Sequence, residues 1–390
     1  MMIEEVITKF KAALNDSEYD AVLVFGPDNV QYLSGAHLPF TYSYPDRSMA
    51  LLWPKGKEPV CVCPVEWESS FRNLSWIGKT VGYVEMPADH SKVVSAIVEL
   101  INTSGVSSGK IGVDLCRVPL SLYEELEAAL PKAKLTSCDE WLRELRVVKT
   151  EKEVELLEDL AYRCDHAIFG VAHHVLVTST RSEMSLSEEI RVHAMERELD
   201  VIGHHSVGPS ASGEHASKFW SLAPNYGIGF DKHLKPGEYV RMELRTSLDG
   251  YWSEGARMMA QGEPTEEQLA AYKALVKLRK AAMAAIKPGV KCSSVYEAVK
   301  EKAAKKGVEL VPGLGVGHGV GVTSYEPPYL TASEDAELKS GMVVVLSPVI
   351  RGPSGEIMMS KDTVIVTDEG CRLVGWYMDW REPYVANYTL

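Results

Sequence analysis

The stretch that most constrains the fold of this chain is a short hairpin signal flanked by two glutamates. Residues 241–257 read RMELRTSLDGYWSEGAR, in which Asp249-Gly250 is typical of a two-residue β-turn. Glu243 and Glu254 lie eleven residues apart, one on each side of that turn. A tight hairpin brings both carboxylates onto neighbouring strands, where they could bind a metal ion, share a proton or hold a cation. Two solvated glutamates on an ordinary hairpin are the alternative.

Length and composition predict a globular protein of two domains. The 390 residues are 45% apolar and 24% charged. The net charge of -13, without a basic cluster, argues against binding to nucleic acid. No apolar run is long enough for a membrane span, and the N-terminal segment lacks a signal-peptide core, so we expect a cytoplasmic protein. The seven cysteines form no CxxC framework and indicate neither a zinc site nor a disulfide scaffold.

The two halves of the chain have different patterns. Alternating strand and helix patterns predict an α/β domain over residues 1–148. Thr150 and Glu153 then fit a capping box that opens a long helix. In residues 149–390 two capped amphipathic helices each precede a glycine-rich strand entry. This repetition predicts an α+β domain with internal pseudo-two-fold symmetry and a site where its halves meet.

Several motifs resemble a known superfamily. Downstream of the hairpin come GVGHGVGVTSYEPP (Gly315–Pro328), GMVVVLSPVI (Gly341–Ile350) and SKDTVIVTDEG (Ser360–Gly370). Their order and spacing resemble the creatinase, aminopeptidase P, prolidase and methionine aminopeptidase superfamily. GPDNVQYLSG (Gly26–Gly35) is similar to its N-terminal domain. The resemblance implies a creatinase/prolidase-type α/β domain followed by a catalytic domain of the pita-bread fold.

The resemblance also implies where the site lies. In the peptidases of the superfamily five positions bind two metal ions, and here they read Glu243, Glu254, His318, Ser347 and Lys361. Loss of carboxylates and gain of an ammonium make such a site hostile to two cations. We expect Lys361 to lie between the two glutamates and to replace the charge of the metal. The expected cofactor is therefore none, as in creatinase, a metal-independent member.

Two further side chains are expected to act on the substrate. His215, in VGPSASGEH, resembles the acid/base histidine of creatinase-like enzymes and would activate water and then protonate the leaving nitrogen. His204, His205 and His233 are its rivals. Tyr325 takes the place of a histidine that the peptidases have, and Tyr325 and His318 would stabilise an oxyanion.

The remaining expected roles concern substrate binding. Glu254 would bind or protonate the substrate nitrogen or orient the water, and Glu243 and Lys361 would set its protonation. Arg47 and Arg257 are candidates for binding a substrate carboxylate. Arg47 lies in an aromatic loop that, in creatinase-like enzymes, reaches the active site of a dimer partner. Ser347 is also counted among the substrate-binding residues.

The sequence thus predicts a metal-independent, homodimeric hydrolase that cleaves a C–N bond in a small amide, amidine or Xaa-Pro-like substrate. One alternative is a metallo-aminopeptidase or Xaa-Pro dipeptidase that holds one Mn, Co or Zn ion at Glu243, Glu254 and His318, since three ligands suffice in an open catalytic site. A second alternative is a non-catalytic peptide-binding module. The compact C-terminus, which lacks a charged appendage, disfavours that alternative.

Overall fold

The computed structural model describes residues 4–44, 47–84, 90–174, 182–200, 210–217, 231–375 and 380–386. The chain divides into two compact units, Met1–Arg146 and Val147–Leu390. The division falls two residues before the expected boundary. Within the described ranges no helix is long and apolar enough to cross a membrane.

A mixed β-sheet with helices around it forms the N-terminal unit. Its strands are β1 Ala21–Val24, β2 Ala50–Pro54, β3 Val60–Pro64, β4 Thr80–Tyr83, β5 Lys110–Val113 and β6 Lys134–Ser137, in the spatial order β4-β3-β2-β1-β5-β6. Its helices are α1 Glu4–Asp16, α2 Pro27–Ser34, α3 Glu68–Leu74, α4 Ser91–Thr103, α5 Leu120–Ala129 and α6 Asp139–Val147, the last ending one residue into the other unit. Short 3₁₀ turns cover Pro39–Ser43, Val65–Trp67 and Leu115–Arg117.

Apolar periodicity explains these elements. Strands β1, β2 and β3 are buried throughout, as expected for near-continuous apolar runs in a covered sheet. Helix α4 buries Val93, Val94, Ile97, Leu100 and Ile101, whose spacing of three and four residues forms one apolar face. That face packs with the strands in a single core cluster.

The described part of the C-terminal unit contains five helices, three of which begin at a capping box. They are α7 Glu151–His174, α8 Glu183–Met195, α9 Gly213–Ala216, α10 Glu266–Ala285 and α11 Cys292–Lys305. The predicted capping box of α7 is present: Thr150 N donates to Glu153 Oε2 at 2.8 Å, and Glu153 N donates to Thr150 Oγ1 at 3.3 Å. Ser182 and Thr265 cap α8 and α10 in the same manner.

Two sheets, the first mixed and the second antiparallel, carry the candidate site of the C-terminal unit. The first has the order β17-β9-β8-β7, with β7 Ala211–Ser212, β8 Tyr239–Leu248, β9 Tyr251–Gln261 and, paired parallel to β9, β17 Tyr384–Ala386. The second has the order β11-β10-β12-β15-β16, with β10 Gly317–Gly319, β11 Glu326–Tyr329, β12 Val343–Leu346, β15 Asp362–Val366 and β16 Cys371–Leu373. A separate hairpin joins β13 Val349–Arg351 and β14 Ile357–Met359.

The predicted hairpin is present and long. Asp249 and Gly250 have φ values of 48° and 76°, the positive pair that a two-residue turn of type I′ requires. Strands β8 and β9 pair from Leu248–Tyr251 back to Tyr239–Ala260 without a register break. This turn therefore fixes which residues of the two strands face each other.

Candidate active site

The two glutamates of the hairpin lie on one face of the first sheet. Glu243 pairs with Ala256, and Glu254 lies two residues from Ala256 along β9. Residues two apart on a strand share a face, so the two carboxylates are diagonal neighbours. Both side chains are buried. Buried carboxylates need a compensating charge or hydrogen-bond donors, and the surrounding cations supply both.

Lys361, the residue before β15 of the second sheet, brings a positive charge to this face. It forms an isolated antiparallel bridge with Ala256, and its N–H donates to the Ala256 carbonyl at 3.2 Å. Its ammonium donates to Glu254 Oε2 at 2.8 Å and lies 3.4 Å from Glu243 Oε2. The structure thus places Lys361 between the two glutamates, the position expected from the sequence.

Two arginines on β8 add to the positive charge. Arg241 is buried, and its Nε donates to Glu243 Oε1 at 2.8 Å. Arg245 pairs with Glu254 across the hairpin and lowers the pKa of that carboxyl. Arg241, Arg245 and Lys361 together outnumber the two glutamates, so the carboxylates are already neutralised by the protein.

The pKa shifts of Glu254 and Lys361 follow from this arrangement. Burial alone would raise the pKa of Glu254, but attraction to Lys361 and His318 outweighs burial, and the net pKa is lowered. Burial alone would lower the pKa of Lys361, but Glu254 and Glu243 outweigh it and hold the pKa above its ordinary value. Both groups are therefore charged at neutral pH.

His318 presents an unprotonated nitrogen to this cluster. It lies on β10, is buried, and has Nδ1 3.0 Å from the Gly319 carbonyl, which can only accept a hydrogen bond. Nδ1 therefore carries the proton, and the lone pair on Nε2 lies 3.7 Å from Glu254 Oε2. Burial lowers the pKa of His318 and keeps the ring neutral. The expected role of His318 as a donor to an oxyanion does not fit this tautomer, because Nε2 has no hydrogen to donate.

An aromatic stack lies beside His318. The ring centroids of His318 and Tyr325 are 4.3 Å apart, and those of Tyr325 and Tyr329 are 5.2 Å apart. Tyr325 is 58% exposed, so a substrate can reach its ring and hydroxyl. Burial and the nearby Glu254 raise the pKa of the Tyr325 phenol, which stays protonated as a hydrogen-bond donor.

The segment that carries Tyr325 is fixed by a buried ion pair. Lys149 donates to Glu326 Oε1 at 2.8 Å, and Thr323 donates to Glu326 Oε2 at 2.9 Å. Both members of the ion pair are buried. These contacts hold the residue next to Tyr325, so the position of the exposed ring depends on them.

His215 lies on the short helix α9 and has a buried partner that sequence reasoning missed. Its Nδ1 lies 2.8 Å from Glu183 Oε2. The next residue, Ala216, accepts a hydrogen bond through its carbonyl from Arg241 Nη1 at 3.2 Å. Arg241 therefore connects the turn that carries His215 to Glu243. No sequence motif pointed to Glu183, which looks like an ordinary acidic residue in the first turn of a helix.

Arg257 does not have the role expected for it. It is buried, and its Nη2 donates to Asp165 at 2.6 Å and to Asp362 at 2.9 Å. Its Nη1 donates to the Lys361 carbonyl at 2.6 Å. Arg257 therefore anchors the backbone of Lys361 and is not available to a substrate carboxylate. The expectation failed because side chains alternate along a strand, and Arg257 lies an odd number of residues from Glu254.

The remaining residues expected at the site have other contacts or are not described. In the N-terminal unit the Arg47 guanidinium forms an ion pair with Glu66 and lies 5.4 Å from the centre of the Tyr44 ring. Ser347 follows β12, and its N–H donates to the Val316 carbonyl at 2.8 Å. His233 forms an isolated bridge with Ser182 beside α8. His204 and His205 lie outside the described residues.

The fold and this site have counterparts among known proteins. The family profile "Metallopeptidase family M24" matches residues 159–368, and "Creatinase/Prolidase N-terminal domain" matches residues 7–148. YkvY of Bacillus subtilis, provisionally named a dipeptidase, is 28% identical over 366 residues, which are 93% of this chain and 95% of YkvY. A Xaa-Pro dipeptidase of Pyrococcus horikoshii is 22% identical over 95% of this chain and 97% of its own. The X-Pro aminopeptidase structure from Thermotoga maritima superposes with a TM-score of 0.80 at 17% identity, covering 98% and 99% of the two chains.

A hairpin with two inward carboxylates, a histidine on the adjoining sheet and these matches together assign the chain to metallopeptidase family M24, with a creatinase/prolidase N-terminal domain. The expected α/β domain followed by a pita-bread domain is confirmed, and so is the expected hydrolase that acts on C–N bonds. The expectation of a metal-independent hydrolase without cofactor is wrong for this family, because the matched family and the Xaa-Pro dipeptidases are metallopeptidases.

The side chains as they stand do not fit the two metal ions of such a peptidase. Among the residues described, no group of three His, Cys, Asp or Glu side chains is arranged to hold a metal ion. Glu243, Glu254 and the Nε2 lone pair of His318 are suitable donors in type and number for one ion. The Lys361 ammonium, however, lies against the same two carboxylates. An ion bound by these carboxylates would therefore compete with the ammonium for one position.

Proposed function

We propose that this protein is a dipeptidase-type peptidase that hydrolyses the C–N bond of short peptides, with Xaa-Pro dipeptides as the substrate class. The observation that carries the proposal is that Glu243 and Glu254 both contact Lys361 and that His318 Nε2 lies 3.7 Å from Glu254 Oε2, in a family M24 fold. The names of the relatives support the choice of peptides as substrates. The site for one Mn, Co or Zn ion, an alternative in the sequence analysis, is thus part of the proposal.

The proposed ion site is reduced in comparison with the two-ion peptidases. Glu243, Glu254 and His318 would hold one divalent ion once Lys361 withdraws its ammonium. Such an ion would supply positive charge that polarises the carbonyl group of the substrate and activates water. Lys361 compensates the two carboxylates in this structure, and its withdrawal would leave them to the ion.

The side chains around this position have complementary tasks. His215 takes a proton from the attacking water at Nε2 and returns it to the leaving nitrogen. The Tyr325 hydroxyl donates a hydrogen bond to the carbonyl oxygen as charge develops on it. The exposed Tyr325 ring offers a flat apolar surface on which the ring of a substrate proline can lie.

The proposal includes a homodimer, which was expected from the family resemblance. Sedimentation equilibrium of the purified protein tests this assembly independently of activity. A mass near twice that of the 43.0 kDa chain supports it. A mass of one chain at micromolar concentration would remove it from the proposal.

A dipeptide screen tests the proposed substrate class. The protein, supplied with Mn²⁺ or Co²⁺, is incubated with Ala-Pro, Ala-Ala, Pro-Ala and N-acetyl-Ala-Pro, and products are measured by mass spectrometry. We expect release of proline from Ala-Pro, a loss of at least about 10²-fold in His215→Ala, and little effect in His233→Ala. Absence of cleavage of every peptide under both metals would refute the proposal.

A further inference from the structure

The carboxylate behind His215 has a separate partner for each of its oxygens. Glu183 is fully buried in the first turn of α8. Its Oε1 accepts hydrogen bonds from the N–H and the hydroxyl of Ser212, at 2.7 and 2.8 Å. Its Oε2 lies 2.8 Å from Nδ1 of His215. A backbone N–H, a hydroxyl and an imidazole therefore all contact the buried carboxylate of Glu183.

The direction of these hydrogen bonds fixes the position of the proton on His215. Lys232 Nζ lies 2.7 Å from the Ser212 hydroxyl oxygen and can only donate to it. The Ser212 hydroxyl therefore uses its single hydrogen on Glu183. Ser212 directs two donors at Glu183 as at a carboxylate, whose oxygens only accept hydrogen bonds, so Nδ1 of His215 must donate to Oε2. The proton then lies on Nδ1, and Nε2 carries the lone pair.

A second ion pair holds the turn in place. Lys232 also donates to Glu238 Oε2 at 2.8 Å. Gly213, between Ser212 and His215 in the turn, has φ = 53°, and a Cβ at this position would lie 2.2 Å from Glu238 Oε1. The chain of contacts Glu238–Lys232–Ser212–Glu183 thus fixes the turn that carries His215.

We propose that Glu183 is the positioning residue for His215: it holds the imidazole in the Nδ1–H tautomer and so keeps the lone pair on Nε2 for the substrate side. This inference rests on the proposed function, in which His215 moves a proton at Nε2. When Nε2 takes a proton from water, the positive charge that forms on the ring lies against the Glu183 carboxylate. When Nε2 passes this proton to the leaving nitrogen, the original tautomer returns.

Glu183→Gln separates positioning from folding. The amide oxygen of the substituted side chain would keep both hydrogen bonds from Ser212, which places the NH₂ group opposite Nδ1 of His215. That group donates, so Nδ1 must become the acceptor and the proton must move to Nε2. The variant changes one atom and retains the shape of the side chain. We therefore expect the variant to fold and to carry the His215 proton on Nε2.

The direct readout is the tautomer itself, measured by two-bond ¹H–¹⁵N NMR of ¹⁵N-histidine-labelled full-length protein at pH 8.5. His215→Asn identifies the resonances. We expect the Nδ1–H form in the wild type and in Ser212→Ala, which removes a bond to the same carboxylate but not the one to His215. We expect the Nε2–H form in Glu183→Gln. An Nε2–H form or an imidazolium in the wild type would overturn the proposal, as would an unchanged tautomer in Glu183→Gln.

Activity on Ala-Pro forms a second, separate arm. With the wrong tautomer, we expect kcat to fall about 10²- to 10⁴-fold with KM nearly unchanged, as when the orienting carboxylate of a catalytic triad is converted to its amide. A reversed tautomer with unchanged kcat would overturn the catalytic consequence of the positioning. If no peptide is cleaved by the wild type, the proposed function fails, while the NMR result still decides whether Glu183 sets the tautomer.

Discussion

Lys361 Nζ lies 2.8 Å from Oε2 of Glu254, the distance of a direct charge-assisted hydrogen bond. The bond joins the two sheets of the C-terminal unit, because Glu254 belongs to β9 and Lys361 directly precedes β15. In the two-ion peptidases that the family resemblance describes, the position of Lys361 is a metal-binding glutamate. The same carboxylate can therefore be neutralised by an ammonium of the protein or by a bound ion, and the stability of the site depends on which of them is present.

Lys361→Met removes the ammonium but keeps much of the aliphatic side chain. The buried Glu243 and Glu254 then lose a counter-charge, and we expect the metal-free protein to lose about 3–5 kcal/mol of unfolding free energy. Added Mn²⁺ should recover much of this loss and stabilise the variant more than the wild type, since a bound ion stabilises only the folded state. Urea unfolding with and without Mn²⁺ measures both effects.

Lys300→Met is the matched control for this variant, because Lys300 forms an exposed pair with Glu297 on α11. Its loss should cost no more than about 1 kcal/mol and should not respond to Mn²⁺. Equal responses of Lys361→Met and the wild type to Mn²⁺ would show that the ammonium does not compete with an ion.

Arg241→Met tests the link between the His215 turn and the glutamates. The change removes the bonds to Glu243 and to the Ala216 carbonyl and leaves a buried carboxylate short of a partner. We expect a loss of about 3–5 kcal/mol of unfolding free energy, measured by urea denaturation. Arg143→Met, at an exposed pair with Glu140, is the control and should stay within about 1 kcal/mol of the wild type.

The fold was more predictable than the partners of the site residues. The hairpin could be predicted because a two-residue turn has a local signal, and strand alternation then puts Glu243 and Glu254 on one face. The same alternation also puts Arg241 beside Glu243 and turns Arg257 away, so both could have been read from the sequence. Glu183 could not, because 29 to 32 residues separate it from Ser212 and His215 and only the packed turn brings them together.

Gly213→Ala and Gly289→Ala separate backbone strain from a steric clash. Both glycines have positive φ, 53° and 79°, and a Cβ at Gly289 meets nothing within 4 Å. We expect Gly289→Ala to cost about 1–2 kcal/mol, the strain of a left-handed backbone. Gly213→Ala should cost more, because its Cβ would displace Glu238. Thermal unfolding measures the two costs, and a smaller cost for Gly213→Ala would contradict the described turn.

The buried Asp114 in the N-terminal unit makes the stability of the protein depend on pH. Asp114 is buried and accepts hydrogen bonds from the backbone of Phe25 and Gly26 and from Asn29. Burial raises its pKa to about 6 from 3.8, despite these donors. The folded state therefore binds the proton more tightly than the unfolded state, and stability falls as pH rises from about 4 to about 6, by on the order of 3 kcal/mol.

Asp114→Asn should remove this part of the pH dependence. The variant carries a constant offset, because its amide cannot accept all the bonds that the carboxylate accepts. The unfolding free energy of the wild type minus that of the variant is measured in urea at half-unit steps from about pH 4.5 to 7.5. This difference should therefore fall as pH rises to about 6 and level off above it. A difference that is constant over the whole range would contradict the raised pKa.

Metal-dependent release of proline from Ala-Pro tests the central claim most directly. Protein treated with chelator is titrated with Mn²⁺, and the initial rate and the bound metal per chain are measured on the same samples, for the wild type and His318→Ala. The account predicts activity that rises with occupancy to about one ion per chain, with both lost in His318→Ala. A rate that is independent of Mn²⁺ and unchanged in His318→Ala would contradict it.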